Sequence, residues 1–246
     1  MIGGALPSPE DARDFRLSRC MDMPAGGAVL PRSYRVSWLP EIKDQGHVNS
    51  CTAFALSYIF ECIRHKQTKG MSRFSTGFLY GNRRETWYKD AGQIMRDAVK
   101  GAHKYGDVPA SVWDNNLEVP EAINAFESAY NAVSGAARKL IKGYVRIYDA
   151  EEAKAFLCRY DVPLFVNTTM RKVNPLIRSD GYHALILTEY TWDKFYICRN
   201  SWGDKNCPSP KLRFDDLVEI WGIIPMEEIK FTDVNEERWS AGAIQT

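Results

Sequence analysis

A long apolar segment that opens on a cysteine constrains this chain more than any other feature. Residues 51–63 are almost entirely apolar, and they follow a turn that contains Gly46. Their spacing predicts a helix that runs to basic residues and stops at Gly70, with an inward face formed by Leu56, Ile59, Phe60 and Ile63. A thiol in the first turn of a helix lies at the positive end of the helix dipole, so we expect the pKa of Cys51 to fall below its free value of about 8.5.

The alternative for Cys51 is a small core residue, which is the commoner role of a cysteine in an apolar helix. Two downstream residues argue against it. His183 opens a strand-like run, and Asn200 follows a second run at 195–199. Alone, His183 would also be interpreted as a core histidine. Together the three residues stand in the order of a Cys-His-Asn triad, and a hairpin formed by the two runs would bring His183 and Asn200 to the same edge of a sheet.

These segments resemble the papain-like cysteine peptidases over roughly residues 30–203. The resemblance rests on two motifs, which read Gln45-Gly46, Ser50-Cys51, Ala53-Phe54 and then Asn200-Ser201-Trp202-Gly203. It implies an α+β fold of two lobes, a helical N-terminal lobe and an antiparallel β-rich C-terminal lobe with the active-site cleft between them. Departures from the family pattern at Val48, Asn49 and Thr52 make bacterial, archaeal or viral members the nearest in pattern.

The resemblance also implies the role of each site residue. Cys51 is the nucleophile, His183 its base and proton donor, and Asn200 the residue that orients the imidazole. Gln45 donates to the oxyanion beside the backbone N–H of Cys51. Trp202 shields the histidine, Ser50 supports the nucleophile, and the candidates for binding the substrate are Gly92, Asn49 and Tyr182.

The chain divides into an arm and one domain. Residues 1–29 have no sustained period, and we expect an extended arm packed along the surface; the alternative is a short inhibitory strap. Residues 30–246 form the peptidase domain, with the helical lobe at about 43–115 and the β-rich lobe at about 116–246 plus 30–42. Further helices are expected at 92–105 and 120–133, and a capping box at Asp149 and Glu152 predicts another.

Composition narrows the function. With a net charge of +1, the chain has no excess of positive charge that would favour binding to nucleic acid. No apolar run is long enough to cross a membrane. Without a secretory signal we expect a cytoplasmic or virus-associated protein. There are six cysteines without a close pair, so no metal site and no cofactor are expected. If Cys51 is a free thiol, five cysteines remain, and an odd number cannot all pair in disulfides. The five are Cys20, Cys62, Cys158, Cys198 and Cys207.

The sequence therefore predicts a cysteine endopeptidase that acts on polypeptides through a thioester intermediate, with self-inhibition by the arm as an open alternative. Two other functions stay open: a catalytically silent binding module, and another acyl transfer, such as transpeptidation or amide hydrolysis, on the same triad. The presence of Cys51, His183, Asn200 and Gln45 together argues against the silent module.

Overall fold

The structure is a computed structural model that describes residues 4–20, 30–83, 92–113, 133–177, 179–203 and 209–226. The helix expected at 120–133 lies outside these residues except for its last position, and Cys207 lies outside them too. The helices are α1 (Leu17–Cys20), α2 (Cys51–Thr68), α3 (Thr76–Gly81), α4 (Met95–Tyr105), α5 (Ala150–Tyr160) and α6 (Met170–Val173). The strands are β1 (Ala5–Leu6), β2 (Tyr34–Arg35), β3 (Gln93–Ile94), β4 (Ile141–Arg146), β5 (Leu164–Thr169), β6 (Tyr182–Tyr190), β7 (Phe195–Arg199), β8 (Lys211–Arg213) and β9 (Leu217–Pro225).

Helix α2 is the central element, and it begins at Cys51 as predicted. It is buried on all sides as far as Ile63, because helices pack against one flank and the sheet against the other. It ends at Thr68, slightly before the expected stop at Gly70. Lys69 takes the left-handed conformation at φ 58° and donates its N–H to the His65 carbonyl, which closes the last turn.

One sheet of nine strands carries the second lobe. Its main path runs β3-β1-β6-β5-β9-β4, with β2 and β7 also on β6 and β8 beyond β7. Every pair is antiparallel except β1 with β3. Alternate residues of β5 face opposite ways: Phe165 packs with α2, whereas Leu164 and Val166 pack with α5. The fold is therefore the expected α+β architecture, a helical lobe against an antiparallel sheet.

Two local predictions met different outcomes. The helix at Asp149 forms as expected, since the Asp149 carboxylate accepts from the Glu152 N–H at 2.8 Å. Glu152 does not close the box onto Asp149 but accepts from the N–H groups of Tyr148 and Ser18. The helix predicted at 92–105 begins only at Met95, because the two residues before it pair with β1 as strand β3.

The described part of the N-terminal arm lies on the surface only from about residue 9 to residue 20, which are mostly exposed, whereas the segment before it is buried or half-buried. Its strand β1 inserts between β3 and β6. Ala5 pairs with Gln93 on one side and with Tyr182 on the other, and the Ala5 side chain is fully buried. Free backbone edges on both lobes explain this placement, because each offers N–H and C=O groups that an extended segment satisfies. Among the described residues, no helix has the length and apolar character needed to cross a membrane.

Candidate active site

The first residue of α2 and the start of β6 meet at the centre of the molecule. Cys51 is fully buried, and its Sγ accepts from the backbone N–H of Ala184 at 3.4 Å. Ala184 follows His183 directly in the chain. The fold thus brings the thiol within one residue of the predicted base, although 131 positions lie between Cys51 and His183 in the sequence.

The β6–β7 hairpin brings His183 and Asn200 together, as predicted. Nε2 of His183 lies 2.7 Å from Oδ1 of Asn200 in a buried hydrogen bond. Since Oδ1 can only accept, Nε2 is the protonated nitrogen when the ring is neutral, and Nδ1 is the basic nitrogen left over. The ring of Trp202 lies 4.6 Å from that of His183, and Trp202 is 5% exposed, so it covers the hydrogen bond from solvent.

Burial sets the protonation of this pair, and it overturns the expectation of a lowered thiol pKa. Desolvation raises the pKa of Cys51 to about 11, although the N–H groups of Ala184 and Gly4 act in the opposite direction. Desolvation also lowers the pKa of His183 to about 4, against a smaller opposite effect of Asn200. The helix dipole and the donors do not offset the loss of water. In this state the thiol and the imidazole are both neutral at pH 7.

Gln45 contacts Ser201, the residue after Asn200, and its side-chain amide is held at both ends. Ser201 Oγ donates to Gln45 Oε1 at 2.5 Å, and Gln45 Nε2 donates to the Val48 carbonyl at 2.8 Å. The backbone N–H of Gln45 also donates to the Ser201 carbonyl at 2.8 Å. A primary amide has two hydrogens, so one remains for a further acceptor. Its donation to an oxyanion stays a prediction.

The predicted substrate residues line the path of the arm. Gly92 has φ +75°, and a Cβ added there would lie 2.4 Å from the Gly4 carbonyl oxygen. A Cβ on Gly4 would in turn lie 2.3 Å from the carbonyl oxygen of Asn49. Gln93 N–H donates to the Gly4 carbonyl at 2.9 Å, and Tyr182 pairs with Ala5. Gly92, Asn49 and Tyr182 therefore contact an extended backbone, and that backbone belongs to the chain itself.

Beyond Leu6 the arm is fastened to both lobes by polar contacts that the sequence reading did not identify. Arg96 on α4 binds Asp14 through two hydrogen bonds of 2.8 and 2.5 Å. Ser8 N–H donates to Glu219 Oε2 on β9 at 2.8 Å. Opposite charges lie at 14 and 96, but many other pairs in the sequence have the same relation, so no local signal could have selected this one.

Two further predictions concern support and metals. Ser50 is the N-cap residue of α2, yet its side chain makes no capping hydrogen bond, and its fully buried Oγ has no hydrogen-bond partner among the described residues. Its supporting role stays a prediction. Across the described ranges, no cluster of three or more His, Cys, Asp or Glu residues could hold a metal ion. The five described cysteines are all free.

Solved structures with a similar fold include named cysteine proteases. Xylellain, a cysteine protease from Xylella fastidiosa, has a TM-score of 0.74 at 21% identity. The match covers 92% of this chain and 96% of the xylellain chain. Digestive procathepsin L 3 from the larval midgut of Tenebrio molitor has a TM-score of 0.63 at 17% identity. The match covers 87% of this chain and 74% of procathepsin L 3. The Carica candamarcensis cysteine protease CMS1MS2, solved in complex with E-64, has a TM-score of 0.58 at 17% identity. The match covers 80% of this chain and 99% of CMS1MS2.

These likenesses show that the chain has a papain-like fold. No family model matches the sequence, and no curated protein matches it. At identities of 14–21%, the likeness extends to the fold and not to the activity.

Proposed function

We propose that this chain is a cysteine peptidase that hydrolyses peptide bonds with Cys51, His183 and Asn200. Two contacts carry the proposal. His183 Nε2 and Asn200 Oδ1 form a buried hydrogen bond of 2.7 Å, and the Cys51 sulfur accepts a hydrogen bond from the backbone N–H of Ala184, the residue after His183. An imidazole oriented through Nε2 has Nδ1 left to take the thiol proton. The similar structures include proteases, which supports the same chemistry.

The proposed reaction has two steps. The Cys51 sulfur attacks the carbonyl carbon while its proton passes to His183, which then protonates the leaving amine as the C–N bond breaks. The product is a thioester on Cys51. Water then attacks the thioester, with His183 accepting a proton from the water and returning one to the sulfur. The free hydrogen of Gln45 Nε2 and the backbone N–H of Cys51 stabilise the oxyanion in both steps.

The arm in this proposal is an inhibitory strap, because Gly4 and Ala5 occupy the backbone edges that an extended substrate needs. Withdrawal of the arm returns water to the site, which lowers the pKa of Cys51 and raises that of His183 towards the thiolate–imidazolium pair. A substrate strand then pairs with Gly92 and Tyr182 in place of the arm. The proposal also keeps the arm at 1–29, the helical lobe at about 43–115 and the β-rich lobe at about 116–246 plus 30–42. It further includes a cytoplasmic or virus-associated location and nearness to bacterial, archaeal or viral members of the family.

The test is product analysis by mass spectrometry, with a peptide library and the full chain beside Cys51→Ala. Hydrolysis that depends on Cys51 supports the proposal. Products joined to an added amine, or cleavage of a non-peptide amide only, would instead identify a different acyl transfer on the same residues. If no substrate is changed and an epoxide-based inhibitor of papain-like peptidases does not label Cys51, the chain is a silent binding module.

A further inference from the structure

We propose that Arg96 is a specificity-determining residue of the cleft, which binds an acidic side chain of the substrate where it now binds Asp14 of the arm. The inference rests on the proposed peptidase function and names the substrate class of that site. Arg96 stands in the first turn of α4, directly after the strand β3 with which an extended ligand pairs.

Within the described residues, every hydrogen bond of Arg96 outside its own helix goes to the arm. Nε and Nη2 bind the two oxygens of Asp14 at 2.8 and 2.5 Å, and Nη2 also donates to the Pro9 carbonyl at 2.6 Å. Its backbone N–H donates to Ser8 Oγ at 2.9 Å. The side chains of Arg96 and Asp14 are each only 9% exposed. Such a two-point bond is the geometry by which a guanidinium recognises a carboxylate.

Removal of the arm takes away the one carboxylate that is hydrogen-bonded to the guanidinium within the described residues. The carboxylates that act on Arg96, and raise its pKa, are Asp14 and Asp11 of the arm and Glu219 of β9. Glu219 is shared with other groups: its Oε1 lies 2.5 Å from Arg146 Nη1 and accepts from Trp221 Nε1 at 2.7 Å. Its Oε2 accepts from the Ser8 N–H of the arm at 2.8 Å, a contact that is lost with the arm.

Without the arm, Arg96 keeps only Glu219 of the carboxylates that raise its pKa, and Glu219 also binds Arg146, so these two cations share one anion. A ligand strand that takes the place of the arm covers Arg96 again, as the arm does when Arg96 is 9% exposed, and an ion covered without a partner is costly. A carboxylate from the substrate supplies the missing charge, and a neutral amide of the same shape does not.

The position of the arm along β3 indicates which residue of a substrate would face Arg96. Gly4 contacts Asn49 and hydrogen-bonds the Cys51 thiol through its backbone, Leu6 pairs with Ile94, and Ser8 Oγ accepts from the backbone N–H of Arg96. An extended chain advances about 3.3 Å per residue. The arm first reaches the guanidinium of Arg96 at Pro9, five residues beyond Gly4. A ligand strand in the same groove consequently presents to Arg96 a side chain about four to six residues from the one at the nucleophile.

The experiment uses the full chain and pairs of fluorogenic peptides that differ only by Glu or Gln, moved through six positions on each side of the scissile bond. The quantity measured is the ratio of kcat/KM for the two members of a pair. Closure of the arm reduces the turnover of both members by the same open fraction, so it cancels from the ratio.

We expect wild type to favour Glu at one position by about 10- to 100-fold, the range of a charge-assisted bond, and Arg96→Gln to bring that ratio to about 1. Asp14→Asn should raise the rate on both members and keep the ratio. The matched control is Arg35→Gln, since Arg35 is 70% exposed and lies 3.9 Å from Glu189. It should change neither rate nor ratio.

Equal rates for Glu and Gln at every position would overturn the inference, and so would a preference that persists in Arg96→Gln. If Arg96→Gln does not fold, Arg96→Lys keeps the charge but loses the fork, and it must reduce the ratio. If wild type cleaves no peptide, the proposed function has failed and not this inference. Binding of the Glu and Gln peptides to full-length Cys51→Ala, measured by fluorescence anisotropy, then gives the same ratio, and equal affinities would overturn it.

Discussion

Replacement of Gly4 by alanine tests whether the arm closes the cleft, because the methyl group has no room in the closed state. Its Cβ would lie 2.3 Å from the Asn49 carbonyl oxygen and 2.5 Å from the carbonyl carbon. An ordinary contact to Cβ is 3.4 Å or more, so the arm must move by about 1 Å against backbone atoms. Overpacking on this scale costs about 1–3 kcal/mol. With the arm withdrawn, the methyl group meets nothing and costs nothing.

The closed state therefore weakens relative to the open state by about 5- to 150-fold, at about 1.4 kcal/mol per factor of ten. While the open fraction is small, kcat/KM on a short fluorogenic peptide rises by the same factor, until the arm is mostly open. The melting temperature should fall at the same time, since β1 and the fully buried Ala5 leave the core.

Two further glycines serve as comparisons for Gly4→Ala. Gly135→Ala is the neutral control, because a Cβ there meets nothing within 4 Å. Gly92→Ala also collides with the arm, at 2.4 Å from the Gly4 oxygen, but it strains a residue at φ +75° and obstructs the substrate backbone, so its rate should fall. If Gly4→Ala shows wild-type or lower kcat/KM with an unchanged melting temperature, the arm does not limit access to Cys51 and the reasoning fails.

The remaining predictions concern the triad and its surroundings. Cys51→Ala and His183→Ala should each reduce turnover to near background, and the double variant should be little worse, which steady-state rates on one peptide will show. Gln45→Ala should lower kcat by about 10²- to 10³-fold, since one oxyanion donor is lost while the Cys51 N–H remains; a loss below threefold would exclude that role. Acidification should destabilise the closed state, because His183 titrates at about 4 folded against 6.5 as a free group. Between these values the unfolded chain binds more protons, so stability rises with pH, and about 2–3 kcal/mol should be lost from pH 7 to 4.5. Urea unfolding at both pH values will measure that loss, which His183→Gln should lack.

Local patterns in the sequence determined the elements that carry the site. The apolar run after Cys51 could only be buried as a helix, and its first residue is Cys51 in the structure. The hairpin that joins His183 to Asn200 followed from two β-rich runs and a short loop, and the N-cap at Asp149 followed from side-chain chemistry. Each of these depends on residues close in sequence, which is why spacing alone was sufficient.

The tertiary structure alone decided what lies in the cleft. The arm has no period of its own, and its strand exists only because edges on β3 and β6 accept it, which also shortened the predicted helix after Gly92. The same burial reversed the expected pKa of Cys51, since desolvation depends on atoms far apart in the chain. The pairing of Asp14 with Arg96 is decided in the same way. Opposite charges abound in the sequence, and only the path of the backbone brings these two within hydrogen-bond distance.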